Sequence, residues 1–181
     1  MGRVAKDQFT VAEYFALERV SDQRHEYDRG AFYTRGEDSL DHAVAQLNLA
    51  RELRDALGEQ AYIVLSGPLR IHAQANDYFT YTDLAVVRER PHFYEGRDDT
   101  LLNPTLLVEV VSAWSREYDS GAKFERYKAI ESLQEYALVD SEQAHVECFR
   151  RRAGEWIVET FDSLDAACQF ESLDCEIPLS R

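Results

Sequence analysis

Cysteine, proline and glycine are all scarce in this chain, at three, four and eight of 181 residues. Cys148, Cys168 and Cys175 are odd in number and show no C-x-x-C spacing. That argues against a disulfide framework and against a structural zinc site, and favours buried or half-buried free thiols. With so little proline and glycine, nothing marks a linker, a low-complexity tract or a repeat, and residues 1–181 read as one domain with a sizeable core. No apolar run approaches the roughly 20 residues that span a bilayer. The opening stretch, Met1-Gly2-Arg3-Val4-Ala5-Lys6-Asp7, has no apolar core of a secretion signal. A cytoplasmic protein without a membrane partner is the expectation. Positive charge is short too: 20 Lys and Arg face 34 Asp and Glu, a formal net charge of −14. This works against a non-specific nucleic-acid binder, which needs local Lys and Arg for phosphates. It does not exclude an enzyme acting on nucleic acid, because metal-binding carboxylates bring negative charge that bound cations offset. Neither G-x-G-x-x-G nor G-x-x-x-x-G-K-[ST] occurs, so nucleotide cradling has no support.

The apolar pattern predicts an ordered series of elements. Thr10-Val11-Ala12-Glu13 is a capping box that opens a short helix to about Arg19. His25 to Tyr33 reads as a hairpin turning at Asp28-Arg29-Gly30. Leu40, Val44, Leu47, Leu53 and Leu57 recur at near-helical spacing, with Asp38 and Ser39 at the start and Gly58 as the stop. Strands are predicted at Ala61 to Leu65, Pro68 to His72, Thr80 to Val87 and Leu106 to Val111. A second helix follows from Asp119 to Ile130, then strands at Gln134 to Val139, Val146 to Phe149 and Trp156 to Phe161, with a short strand or coil to finish. This order favours a mixed-sheet α/β or α+β domain over a doubly wound one. Among the basic residues, Arg116, Lys123, Arg126 and Lys128 lie close together, and Arg150-Arg151-Arg152 reads as a solvated strand end or turn.

Two acids interrupt these apolar runs. Asp83 lies within Phe79-Thr80-Tyr81-Thr82-Asp83-Leu84-Ala85-Val86-Val87, and Glu109 within Leu106-Leu107-Val108-Glu109-Val110-Val111. A carboxylate in a strand buried on both faces is costly unless it is paired or bound to a metal. Taken alone, Asp83 fits a turn at Thr82-Asp83 facing solvent, whereas Glu109 is harder to assign to a surface. Together they suit Mg²⁺ or Mn²⁺, which one or two carboxylates hold with waters and phosphate oxygens; the carbonyl of Val110 would be a third ligand. Such a metal activates water and stabilises a phosphoryl oxygen. Lys123, fourteen residues after Glu109, is the candidate to orient that water or stabilise the anionic transition state. Asp119 would either orient Lys123 across one helical turn or simply cap the helix. His42, off the apolar stripe, reads as hydrogen-bonded or exposed, and Tyr127 as core.

Three blocks resemble one family. They are Asn103-Pro104-Thr105-Leu106-Leu107-Val108-Glu109-Val110-Val111-Ser112, Tyr118-Asp119-Ser120-Gly121-Ala122-Lys123-Phe124-Glu125-Arg126-Tyr127, and Ser132-Leu133-Gln134-Glu135-Tyr136-Ala137-Leu138-Val139-Asp140. With Glu26-Tyr27, Gly30, His42 and Asp83, they look like the Uma-two family of restriction-endonuclease-like proteins, within the PD-(D/E)XK nuclease superfamily. The resemblance runs from Thr10 to about Phe161. It implies a restriction-endonuclease-like core, a central mixed sheet flanked by helices. It implies Asp83 as the first acid, Glu109 as the second, and Lys123 as a lysine moved from the strand to the next helix, since Val111 holds the usual lysine position. It also implies Glu26 as an outer or additional metal ligand, against the plain reading of a surface acid, and His42 as a partner of the site. Two residues depart from the family pattern: Thr82 stands where proline is usual, and Trp114 where a small polar residue is usual.

The expected activity is hydrolysis of DNA phosphodiester bonds by a divalent-metal-dependent endonuclease. Asp83, Glu109 and Lys123 would be catalytic, with Glu26, His42 and Asp119 in support. Homodimerisation is compatible with cutting two strands. The competing readings are a nuclease-fold protein with weak or no cleavage that serves as a binding or assembly module, and an acid-rich domain whose partners are proteins.

Overall fold

The computed structural model describes residues 2–3, 8–36, 39–58, 61–67 and 69–180. In chain order its elements are β1 (Gly2–Arg3), α1 (Val11–Glu18), β2 (His25–Asp28), β3 (Ala31–Thr34), α2 (Leu40–Leu57), β4 (Tyr62–Ser66), β5 (Arg70–Ala73), β6 (Tyr78–Tyr81) and β7 (Leu84–Arg88). There follow β8 (Thr100–Leu101), β9 (Leu106–Val111), α3 (Arg116–Tyr118), a π turn (Asp119–Lys123), α4 (Phe124–Tyr127), β10 (Glu135–Asp140), β11 (Val146–Arg152), β12 (Glu155–Phe161), β13 (Ala167–Phe170) and β14 (Cys175–Pro178).

The central sheet is mixed, in the order β12-β11-β10-β9-β7-β4. Its one parallel pair is β9 with β10, the rest being antiparallel. Both faces are covered, which is why β9 reads as an unbroken apolar run rather than an alternating one. Leu106 and Val108 of β9 pack with Leu84, Val86, Leu53 and Leu57, on the side covered by α2 and the β13–β14 hairpin. Leu107 and Val111 point the other way, into a core with Ala85, Val87, Phe124, Tyr127 and Tyr136. A second sheet, β1-β3-β2-β6-β5-β8, includes the predicted hairpin and packs Tyr14 of α1 against Tyr27, Phe32 and Phe79. The expected restriction-endonuclease-like core, a mixed central sheet flanked by helices, is the observed architecture.

Several sequence expectations are corrected. Thr80 to Val87 is not one strand. It breaks at Thr82-Asp83, so that β6 belongs to the second sheet and β7 to the central one. The stripe on α2 is right only in its second half. Leu53 and Leu57 are buried, but Leu40, Val44 and Leu47 are 79%, 50% and 71% exposed. The inward face runs instead through His42, Gln46, Leu49, Leu53 and Leu57, because the first turns of α2 lie over Asp83 and present polar groups to it. The helix predicted from Asp119 begins earlier, at Arg116, passes through the π turn and ends at Tyr127. Arg150 is not solvated. It lies inside, donating to Glu135 at 3.0 Å, to Glu159 and to the carbonyl of Gln169, while Arg152 at the strand end pairs with Glu171. The alternation of β11 sends successive arginines to opposite faces. Cys148 and Cys168 are buried free thiols and Cys175 is half-buried. The expectations at Asp38 and Pro68 lie outside the described residues.

Candidate active site

The break at Thr82-Asp83 is filled by side chains where backbone pairing stops. β7 pairs with β9 only as far as Leu84 opposite Val108. Beyond that point the Thr82 hydroxyl donates to the Val108 carbonyl at 3.0 Å and to the Leu84 carbonyl at 3.1 Å. Asp83 Oδ2 accepts the Val110 amide at 2.7 Å. A hydroxyl and a carboxylate thus continue the ladder that the diverging strands abandon. Thr82, a departure from the family's proline, has a structural use here. Val110, named from sequence for its carbonyl, contributes its amide to Asp83.

Asp83 is also gripped from two directions. Arg35, one residue past β3, donates to Oδ1 at 2.6 Å. His42 Nε2 lies 3.0 Å from Oδ2, and Gln46 donates to the Asp83 carbonyl at 2.7 Å. His42 and Gln46 are four apart and share one face of α2. Burial would raise the Asp83 pKa, but the His42 hydrogen bond and the charges of Arg35, His42 and Lys123 outweigh it and hold the group at about 2.

Glu109 and Lys123 meet at the neighbouring position on β9. The π turn is wider than an α turn and buries both Asp119 and Lys123 against the sheet. Lys123 Nζ lies 2.9 Å from Glu109 Oε1, 3.4 Å from Asp119 Oδ1 and 3.8 Å from Glu26 Oε1. The Tyr127 hydroxyl donates to Glu109 Oε1 at 3.0 Å, so this residue is core and site at once. Asp119 is no N-cap: it sits inside the helical stretch with φ −69° and ψ −39°. Glu26 is not a surface acid. It is buried, accepting from Thr80 at 2.8 Å, from Tyr78 at 2.7 Å and from Tyr118.

Four carboxylates, Glu26, Asp83, Glu109 and Asp119, therefore surround two permanent cations, Lys123 and Arg35. Burial, the largest influence on Glu109, pushes its pKa up to about 8, with Asp83 and Asp119 adding and Lys123 and Arg35 opposing. Asp119 is raised as well, by burial first. Burial disfavours the Lys123 ammonium, but Glu109, Asp119 and Glu26 outweigh it and keep the group charged. The site gathers four carboxyl groups in a desolvated place, and its donors are hard oxygens, which suits a divalent cation. Asp83 and Glu109 are the residues that could hold one. Among the described residues no three His, Cys, Asp or Glu side chains converge as a ready cage. A two-carboxylate site completed by water and phosphate oxygens needs none.

The structure thus brings together every sequence-predicted site residue: Glu26, His42, Asp83, Glu109, Val110, Asp119 and Lys123. It adds Arg35, Gln46, Tyr78, Thr80 and Tyr118, which sequence reasoning missed. Only Gln46 carried a usable signal, one helical turn after His42. Trp114 is exposed in the loop between β9 and α3. The other basic residues near Lys123 are engaged elsewhere: Arg116 with Asp140 at 2.5 Å and Glu147 at 2.6 Å, Arg126 with Asp28 at 2.7 Å, and Lys128 with Glu125 at 2.5 Å.

A nuclease-like fold and a buried acid–lysine cluster define the class. The sequence profile of the Uma2 family, described as "Putative restriction endonuclease", matches residues 11–179, and the chain belongs to that family. Two relatives from Synechocystis are each 27% identical. "Uncharacterized protein sll1609" aligns over 89% of this chain and 92% of its own length, and "Uncharacterized protein slr1290" over 84% and 80%. The fold is similar to that of a crystal structure from Anabaena variabilis, described as a "putative nuclease belonging to DUF820". The TM-score is 0.72, the identity 18%, and 88% of this chain and 89% of that one are covered. Among the described residues no helix is long and apolar enough to cross a membrane.

Proposed function

We propose that this chain, read as one domain, is a divalent-metal-dependent DNA endonuclease that hydrolyses phosphodiester bonds with Mg²⁺ or Mn²⁺. The observation that carries the reading is the 2.9 Å contact of Lys123 Nζ with Glu109 Oε1 inside a ring of carboxylates. Val111 cannot supply a cation from the strand, and the π turn brings Lys123 to Glu109 from the helix. Asp83 and Glu109 would hold the metal, with the Val110 carbonyl as a further ligand. When bound, the metal would activate water and offset charge on a phosphoryl oxygen. Lys123 acts as an ammonium and not as a base, because three carboxylates keep its proton on. Its role is to orient the attacking water or donate to a phosphoryl oxygen. Asp119 and Glu26 position Lys123. Tyr78, Thr80 and Tyr118 hold Glu26, and His42 with Val110 holds Asp83. A homodimer would present two such sites to two strands.

The test is a thermal melt with MgCl₂ and MnCl₂ on the wild type and on Glu109→Ala, followed by plasmid cleavage. A cation that binds only the folded chain raises its stability by about 2.7 kcal/mol at a hundredfold excess over Kd. The expected result is an upward shift for the wild type and none for Glu109→Ala. A wild type that ignores both metals while Glu109→Ala gains stability would sink the reading in favour of a binding or assembly module.

A further inference from the structure

Trp114 is the one exposed aromatic side chain among the described residues, with 96% of its surface in water. An indole gains more from burial than almost any other side chain, so one left uncovered stands out. It lies five residues after Glu109 and five before Asp119, in the short loop that joins β9 to α3. That loop is a closed turn. The amides of Ser115 and Arg116 donate to the Ser112 carbonyl at 3.2 Å and 3.1 Å, and the Ser112 amide donates to the Ser115 hydroxyl at 3.3 Å. The Asp119 amide in turn donates to the Ser115 carbonyl at 3.0 Å. The indole is therefore carried by the same stretch of chain that carries the acids. Five residues reach at most about 18 Å when fully extended, and a closed turn reaches less. That distance is about five nucleotide steps along one strand.

We infer that Trp114 stacks on an unpaired base within about five nucleotides of the scissile phosphate, so that the substrate is DNA with a single-stranded stretch beside the cut. This rests on the nuclease reading above and adds the form of DNA it acts on. Every base offers a π face, and an aromatic ring can bind it without charge. Inside a duplex both faces are covered by neighbouring bases, so a stacking ring finds a free face only where a base is unpaired. Charge points the same way. The chain carries a net −14. Arg116, Arg126 and Lys128, the basic residues nearest Lys123 in sequence, are each paired with an acid. Attraction to phosphates is therefore weak on this surface, and a neutral stacking ring supplies affinity that those cations do not.

The experiment uses the full chain as wild type, Trp114→Ala and Trp114→Phe, with Mg²⁺ present. The probes are a short mixed-sequence single strand with hydrolysis-resistant phosphorothioate linkages, and the duplex of the same sequence. Probe anisotropy gives affinity, and indole fluorescence reports stacking. The second tryptophan, Trp156, is half-buried with its ring 5.2 Å from that of Phe124, so it reports the fold. The single strand is expected to quench the wild type and to leave the remaining emission of Trp114→Ala unchanged. Trp114→Ala should bind it about tenfold more weakly, and Trp114→Phe, which keeps a stacking ring, within about threefold of the wild type. All three chains should bind the duplex alike. Equal single-strand affinity in the wild type and Trp114→Ala, or an equal loss on both probes, overturns the inference and leaves the nuclease reading standing. So does a Trp114→Ala chain that fails to fold, since the indole would then be structural. If the wild type binds neither probe, the nuclease reading falls and the inference falls with it.

Discussion

Replacing Glu109 by glutamine is expected to flatten the dependence of folding stability on pH across the neutral range. Glu109 is 2% exposed. Burial chiefly, with Asp83 and Asp119, raises its pKa from 4.5 to about 8 against the pull of Lys123. The sign follows from proton counting. Between those two values the folded chain keeps a proton that the unfolded chain has released, so raising the pH favours unfolding. Stability is complete below the unfolded value and is lost as pH rises through the folded one. Each unit of pH inside that window costs at most about 1.4 kcal/mol. Lys123 titrates far above this window and does not mask the slope. Glutamine keeps the shape of the side chain and an oxygen for the Tyr127 hydroxyl and Lys123, but has no proton to lose. Denaturant unfolding at several values between about pH 5 and pH 8 provides the assay, with metal chelated. The wild type should lose stability relative to Glu109→Gln by about 1 kcal/mol per unit. Parallel pH curves would refute the reasoning: Glu109 would then be ionised throughout, with the ion pair to Lys123 outweighing burial.

Lys123→Met should cost about 3–5 kcal/mol near neutral pH, because it leaves Glu109, Asp119 and Glu26 facing one another without a cation. Denaturant midpoints at neutral pH would show the loss, and a midpoint equal to that of the wild type would rule it out. Asp83 is held at about 2 against an ordinary 3.8, so its ionised form contributes stability that is present above the ordinary value and lost as pH falls through the lower one. Asp83→Asn should therefore lose less stability than the wild type on that acid limb, and equal acid losses would rule the contribution out. In the arginine run, Arg150→Ala should cost about 3–5 kcal/mol, leaving buried Glu135 without its guanidinium. Arg152→Ala, which removes only the exposed pair with Glu171, should stay within about 0.5 kcal/mol. Matching urea midpoints for these two variants would contradict the burial assignment.

Much of this protein was legible before its fold. The run Leu106 to Val111 announced a strand buried on both faces, and its lone acid stood out for the same reason: nothing apolar needs a carboxylate there. The capping box at Thr10 and the stop at Gly58 depend on neighbours in sequence, so both appeared where expected. Periodicity failed where a single element serves two environments. On α2 the inward stripe changes from polar to apolar at mid-length, because its first turns cover Asp83 and its last turns cover the core. A hydrophobic count follows the leucines out into solvent and misses His42 and Gln46.

Composition and pattern by themselves determined the class of fold, the positions of most strands, and the acids Asp83 and Glu109, since each rests on local spacing or on the cost of placing charge in an apolar run. Only the tertiary structure decided what those acids meet. Arg35 is 48 residues from Asp83 and Tyr118 is 92 from Glu26, and no local rule links them. The split of one apolar run between two sheets, and the π turn that swings Lys123 onto Glu109, arise from long-range packing. Sequence names a charge, but its neighbours in space set its protonation, its partners and the chemistry it can perform.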